Sequence, residues 1–358
     1  GLTGKGVHVF IMDTGIRTTH TDFEGRALKS FDATSGHPVE CDGTDDQCAA
    51  DTNGHGTLCA GIIGGKTFGV AKESTLHSLK VLNPRGLTSW SIEALAWVMD
   101  NDALRPGIVS MSLAKNDKDD DWSEAWESAI NTAVSSGIVV VVAAGNGGVD
   151  ACNKEPANIP SAITVGATDQ DDQRAWYSNY GTCVDIFAPG TAIDSAGVSS
   201  DTSVKTESGT SMACPHVSGV AALFFQEDPT RTAAGLEQIL KIRATPNVVS
   251  NKKGSPNLFL YSGLDVAAKC VCTGDGNKMV CSHGEKRACP VDKECYSQDS
   301  FLHGEWELGC KPAKCECTGD GNKIKCNTGE NRACSVDQKC YAKDAFPYGE
   351  WELGCKKK

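Results

Sequence analysis

The placement of cysteine constrains this chain more than any other feature. Of the 18 cysteines in 358 residues, 6 lie before residue 265 and 12 in the last 94. Such density marks a disulfide scaffold, and disulfides persist in oxidising compartments, so the expectation is a secreted, extracellular protein. The tail aligns with itself. Cys270, Cys272, Cys281, Cys289, Cys295 and Cys310 are separated by 2, 9, 8, 6 and 15 residues, and Cys315, Cys317, Cys326, Cys334, Cys340 and Cys355 repeat those intervals. With a period of 45 residues and 27 identities over 41 aligned positions, the tail reads as two copies of one module, 270–310 and 315–355. A piece of about 40 residues cannot fold on its hydrophobic core alone, so sulfur bridges must supply what the core lacks. Six cysteines allow 15 pairings; the sequence predicts only that bridges stay within a module.

Thr-Gly-Asp-Gly-Asn-Lys, at 273 and again at 318, reads as a hairpin turn, because Asp-Gly and Gly-Asn tolerate positive φ. A calcium loop is the rival reading, but Asp275 and Asp320 stand without the spaced carboxylates an EF-hand needs. Zinc is disfavoured because paired C-x-x-C units are missing. Trp306, Trp351, Tyr296, Phe301, Tyr341, Phe346 and Tyr348 form either the modules' small core or an exposed platform for extracellular protein or polysaccharide.

The chain carries 34 Lys+Arg against 46 Asp+Glu, a net charge of -12. The last 94 residues hold 15 of each sign, leaving 19 against 31 in residues 1–264, so all the acidity belongs to the first part. That balance argues against nucleic acid as a partner. No apolar run reaches about 18 residues, the length of a membrane span. With 40% hydrophobic and 22% charged residues the chain has the composition of ordinary globular material, able to bury at least one large core. No signal peptide precedes Gly1, and a mature or trimmed form is expected.

Three segments of residues 1–264 carry chemistry. Val7–Met12 is a short apolar run ending at Asp13-Thr14-Gly15, which places a carboxylate at the carboxyl end of a buried strand, where open α/β sheets hold their sites. His55 stands between Gly54 and Gly56 near the start of a predicted helix that includes Leu58–Ile63, and flanking glycines allow another backbone to approach. Ser211 precedes a small-residue helix predicted over 215–225, so its oxygen lies near positive peptide dipoles. Singly, such residues are most often an Asx turn, a structural histidine and an N-cap. Together they supply a nucleophile, a base and a carboxylate to orient that base, the three groups that serine catalysis needs.

Asp13-Thr14-Gly15, Gly54-His55-Gly56-Thr57 and Gly209-Thr210-Ser211-Met212-Ala213 resemble the signature motifs of the subtilisin family of serine proteases, in that family's chain order Asp, His, Ser. Ser178-Asn179-Tyr180-Gly181 and Asp185-Ile186-Phe187-Ala188-Pro189-Gly190 are similar to its proteinase K-like branch. The resemblance covers about residues 4–264 and not the tail. It implies a doubly wound α/β domain with a mainly parallel sheet, Asp13 as orienting acid, His55 as general base then acid, and Ser211 as nucleophile. Ala143-Ala144-Gly145-Asn146 after the apolar strand 138–142 looks like the oxyanion segment, with Asn146 and the Ser211 N–H as donors; a plain turn is the alternative. Arg85-Gly86-Leu87 and Ser112-Leu113-Ala114 are similar to the strands between which family substrates lie, a backbone-pairing mode that favours broad endopeptidase action. Trp90 falls at the wall of a substrate pocket, with a core role as the alternative.

Departures from the family pattern bear on specificity. Ala114 and Lys115 replace two glycines at the pocket rim, and Asp117, Asp119, Asp120 and Asp121 follow, either attracting basic substrates or forming a solvated loop. Cys214 stands where Thr or Ser is usual. Cys41 and Cys48 are plausible local partners in a Gly/Asp-rich loop, and the resemblance pairs Cys152 with Cys183. Cys59 and Cys214 follow the catalytic His and Ser and are expected to be thiols rather than a bridge, since the family's cysteine at position 59 is commonly free. The resemblance also implies a structural calcium held by the backbone oxygens of Pro160 and Ala162 and the Asp185 carboxylate; otherwise Asp185 caps a turn. No cofactor is expected for the chemistry. The resulting expectation is a monomeric, secreted serine endopeptidase, residues 1–264, with two Cys-rich modules. Its partners would be protein or peptide substrates and, before maturation, an inhibitory propeptide. The rival is a catalytically inactive binding or structural protein acting through its repeats; the complete catalytic set argues against it.

Overall fold

A computed structural model describes residues 1–34, 37–83, 92–113 and 124–263 in full and the backbone of 91 and 123; within 264–358 it describes the backbone of the strands named below. Two compact units emerge, Gly1–Gly263 and Leu264–Lys358.

The first unit is built on a ten-stranded sheet. In chain order its elements are β1 (His8–Asp13), β2 (Ala27–Asp32), β3 (Val39–Glu40), helix α1 (His55–Gly64), β4 (Thr75–Lys80), α2 (Ser91–Asp100), β5 (Gly107–Met111), α3 (Ser123–Ser135), β6 (Val139–Ala143), β7 (Ile163–Thr168) and β8 (Ile186–Pro189). A two-stranded sheet of β9 (Ile193–Ala196) and β10 (Val204–Glu207) follows, then α4 (Thr210–Glu227), α5 (Ala233–Arg243), β11 (Thr245–Pro246) and β12 (Leu258–Phe259). The order across the main sheet is β11-β12-β8-β7-β6-β5-β1-β4-β2-β3. Every pairing from β12 through β2 is parallel; only the edge pairs β2–β3 and β11–β12 are antiparallel. The expected mainly parallel sheet is therefore present.

Helices cover both faces, which is why the central strands are apolar throughout rather than alternating. Residues of β1 still divide by face. Val9 and Ile11 join a core with Leu58, Cys59 and Ile62 of α1 and Val217, Val220 and Phe224 of α4. Phe10 and Met12 join a second core with Leu95 and Val98 of α2 and Trp126 and Ile130 of α3. The predicted 138–142 strand is β6, displaced by one residue and wholly buried. The predicted helix after Ser211 begins five residues earlier than the sequence suggested, at Thr210, and holds Pro215 inside it.

In the second unit β13 (Cys270–Cys272), β14 (Lys278–Cys281) and β15 (Lys286–Ala288) form an antiparallel sheet, and β16 (Lys293–Ser300) pairs antiparallel with β17 (Glu305–Pro312). The pattern recurs in β18 (Cys315–Cys317), β19 (Lys323–Cys326), β20 (Asn331–Ala333), β21 (Gln338–Ala345) and β22 (Glu350–Lys357). Register sets Cys270 opposite Cys281 and Cys295 opposite Cys310, and likewise Cys315 opposite Cys326 and Cys340 opposite Cys355. The turns at 273–277 and 318–322 and the tail's aromatic side chains lie outside the described residues.

Candidate active site

The site lies at the carboxyl ends of the central strands. Asp13 is the last residue of β1 and has no exposed surface. Its Oδ1 accepts the Thr14 N–H at 2.8 Å, and its two oxygens lie 2.8 and 2.9 Å from His55 Nδ1. Asp13 holds the imidazole's pKa well above its ordinary value, against the opposing effect of burial. Charge and geometry agree that the carboxylate orients His55 through Nδ1.

His55 opens α1, and the first turn of that helix is fixed to the Asp13 loop by a residue the motif reading did not single out. Asp51, 8% exposed, accepts at Oδ1 from Thr14 Oγ1 (3.0 Å), Asn53 N (2.9 Å) and Gly54 N (2.8 Å), and at Oδ2 from Thr57 N (3.0 Å) and Oγ1 (2.6 Å). Thr14 Oγ1 in turn accepts the Gly56 N–H at 2.9 Å. The two loops approach so closely that a Cβ on Gly56 would sit 2.2 Å from the Gly15 oxygen, and Gly54 turns at φ +107. Glycine on both sides of His55 is thus a steric requirement, as the sequence suggested.

Ser211 is the second residue of α4. Pro215 has no N–H to give the Ser211 carbonyl in the usual i to i−4 bond, so that half-buried acceptor needs other donors. It finds two: Ser112 Oγ at 2.9 Å, from the segment after β5, and Cys59 Sγ at 3.4 Å, from α1. Cys59 Sγ also lies 3.9 Å from His55 Nδ1, so one sulfur touches both the histidine and the serine backbone. Ser211 Oγ points towards the Ser112 carbonyl at 3.4 Å. Being in the first turn, the Ser211 N–H has no intrahelical acceptor.

Asn146 follows β6, and its Oδ1 accepts from Thr210 N (2.8 Å) and Thr210 Oγ1 (2.9 Å). This anchors the amide by its oxygen and frees its Nδ2 donor. A Cβ placed on Gly209 would meet Asn146 Nδ2 at 3.4 Å and Ser211 N at 3.6 Å, so the two donors converge beside the nucleophile. The loop is braced by Asn179: its Nδ2 donates to Ala144 O, its Oδ1 accepts from Gly147 N and Val149 N, and its N–H donates to Gly145 O. Gly145 N donates to Thr210 Oγ1 at 3.1 Å. The sequence offered Asn179 only as part of a motif, and Asp51 only as an acid three residues before a glycine.

Ser112 therefore touches Ser211 and Gly145 touches Thr210 beside it, with Leu113 and Ala144 next to them in the chain. Arg85, Gly86, Leu87, Trp90 and Ala114 lie outside the described residues, as do Lys115, Asp117, Asp119, Asp120 and Asp121. The cysteine expectations hold: Cys41–Cys48 and Cys152–Cys183 are bridged, and Cys59 and Cys214 are buried thiols. Burial raises both thiol pKa values, Cys214 to about 12. Both are held as neutral thiols.

The calcium ligand set looks different from the family pattern. Asp185 precedes β8; its Oδ2 accepts the Thr164 N–H at 2.8 Å and its Oδ1 lies 2.7 Å from Lys241 Nζ. A calcium ion seeks 6–8 oxygens at about 2.3–2.6 Å. A carboxylate already paired with an ammonium does not fit that ion alongside Pro160 and Ala162. Among the described residues no helix is long and apolar enough to cross a membrane.

Comparison with known proteins is consistent with this geometry. A family profile described as "Subtilase family" matches residues 4–261. The chain is 48% identical over 263 residues to "Extracellular serine proteinase" of Thermus sp. (strain Rt41A), covering 73% of this chain and 60% of that protein. It is 44% identical over 267 residues to "Alkaline protease 1" of Aspergillus clavatus, covering 73% of this chain and 62% of that protein. Among solved structures it is similar to "a cold adapted subtilisin-like serine proteinase", with TM-score 0.67 and 41% identity, over 74% of this chain and 92% of that one.

Proposed function

Because the chain belongs to the subtilase family, matched over residues 4–261, we propose that it is a secreted serine endopeptidase whose nucleophile is Ser211. The chain spans only about three fifths of the length of the relatives named above, 60% and 62%, so their activity is carried here as a proposal. The observation that carries the reading is the His55 ring held at Nδ1 by both oxygens of a fully buried Asp13, with Cys59 in contact with that ring and with the backbone of Ser211.

In this reading His55, neutral and paired through Nδ1, takes the Ser211 hydroxyl proton at Nε2 as Oγ attacks the scissile carbonyl. The charge on the tetrahedral oxygen is received by the Asn146 Nδ2 and Ser211 N–H donors. His55 returns its proton to the leaving amine, and water repeats the sequence on the acyl-enzyme. Every proton and electron pair is carried by these side chains and the substrates, so the chemistry requires no cofactor.

Substrate lies as an extended chain against 85–87 and 112–114 and is chosen by backbone pairing more than by side chain, which gives broad specificity. Residues 1–264 form the peptidase domain, 270–310 and 315–355 the two Cys-rich modules, which offer a surface for extracellular protein or polysaccharide. The chain acts as a monomer after an inhibitory propeptide is removed. The test is hydrolysis of a peptide amide library by the wild type and by Ser211→Ala. Loss of at least about 10³-fold in kcat/KM is expected. Equal rates would refute the assignment, and a wild type that binds but never cleaves would favour the inactive binding protein.

A further inference from the structure

We infer that Lys241 is the resident cation of the Asp185 site, a built-in ammonium standing where a divalent ion would otherwise be held. The residues come from separate parts of the chain. Asp185 is tied to β7 twice, by its N–H donating to Thr164 O at 2.9 Å and by its Oδ2 accepting the Thr164 N–H at 2.8 Å. Its remaining oxygen, Oδ1, faces the last turn of α5, and Lys241 Nζ meets it at 2.7 Å. Glu237, one turn earlier on the same helix, holds the ammonium from the other side at 2.6 Å.

Three physical features favour the lysine in this role. The carboxylate is aimed by a backbone donor, so it presents one oxygen in a fixed direction rather than sampling solvent. A cation in the last turn of a helix is favoured by the carbonyl end of the helix dipole. Two carboxylates, Asp185 and Glu237, share one ammonium, so its charge is more than compensated. A dication bound to Asp185 would share its carboxylate with this ammonium and be repelled by it, and a half-buried site gives less screening than water. The fixed cation ties β8, β7 and α5 together with no ion from the medium.

The inference concerns stability and does not depend on catalysis. The test is thermal melting of the full chain carrying Ser211→Ala, so that self-cleavage does not shape the curve, in excess calcium chloride and in excess chelator. An ion held at 100-fold over its Kd raises Tm by roughly 5–10 °C in a domain of this size. The calcium increment in Tm is expected to be the same with Asp185 as with Asp185→Asn, although the latter melts lower in both media. Lys241→Met is expected to melt lower in chelator and to gain a calcium increment that the Asp185→Asn/Lys241→Met double variant lacks. An increment that shrinks on Asp185→Asn alone overturns the inference. So does a Lys241→Met chain whose increment does not exceed that of its parent at calcium up to about 10 mM, well above the range of weak extracellular sites.

Discussion

At the scale of single residues the site works by giving each polar atom fixed partners. Asn146 illustrates this: its amide oxygen is spent on Thr210, and that fixes the direction of its two N–H bonds. Asn146→Ala should therefore lower kcat by about 10²–10³ with little change in KM, because the donor is called on only when charge develops. Asn146→Asp keeps the anchoring oxygen and removes the donor, and should be no more active than the alanine variant. His55 gives the pH dependence. Its imidazole pKa is raised well above the ordinary histidine value by Asp13, and only the neutral ring accepts a proton. Activity should rise with pH through that raised pKa, placing the ascending limb of kcat/KM on the alkaline side of the ordinary histidine range. Asp13→Asn removes the charge that raises the pKa, and should move the limb to lower pH while depressing its plateau. A limb that stayed in place would separate the histidine from its carboxylate partner. These residues were legible in the sequence because the motifs around them are short and local. The shift in the histidine was not, since it depends on a carboxylate 42 positions away lying within 2.9 Å.

At the scale of elements, two helices are held in relation to each other by devices at their first turns. α1 is tied to the loop after β1 through Asp51, and α4 is tied to α1 and to the segment after β5 through the Ser211 carbonyl that Pro215 leaves unpaired. The sequence reading placed the second helix over 215–225. The structure starts it at Thr210, and tolerates the proline because Ser112 and Cys59 take over the missing bond. Asp51→Ala should cost about 3 kcal/mol or more of stability, because five donors lose a nine-tenths-buried acceptor. It should also lower kcat more than KM, since Thr14, next to Asp13, and Gly54, next to His55, lose their common anchor. Glu at this position is a longer arm and should not rescue. Unchanged kcat in a folded Asp51→Ala chain would show that the anchor stabilises without positioning. Asp51 was hidden from sequence reading because an acid before a glycine turn has many ordinary roles, and only the fold gives it donors from both loops.

At the scale of the whole molecule, cysteine divides the chain into its parts. The first unit contains two bridges and two buried thiols, and the tail contains twelve cysteines in two matching sets. With all tail cysteines paired inside their modules, the protein denatured without reductant should titrate two thiols, slow to react while folded and fast once unfolded. Peptide mapping should find no bridge between residues 270–310 and 315–355. Zero thiols would mean that Cys59 and Cys214 bridge in solution, and four or more that a module is incompletely paired. The count of two was anticipated from the family resemblance, which pairs Cys152 with Cys183 and leaves Cys59 free, and the acidic character of the first unit from its composition.

The sequence by itself determined the candidate catalytic residue types and their order, the parallel α/β class and the module repeat, because each of these is written as a short pattern or a regular interval. The tertiary structure decided which oxygen meets which donor. It brought Asp51 between two loops, gave the Ser211 carbonyl its partners across 99 and 152 positions of chain, and set Lys241 against Asp185 across 56. Hydrogen bonds and ion pairs depend on distances of tenths of an ångström between residues remote in the chain, and no local pattern records a distance of that kind.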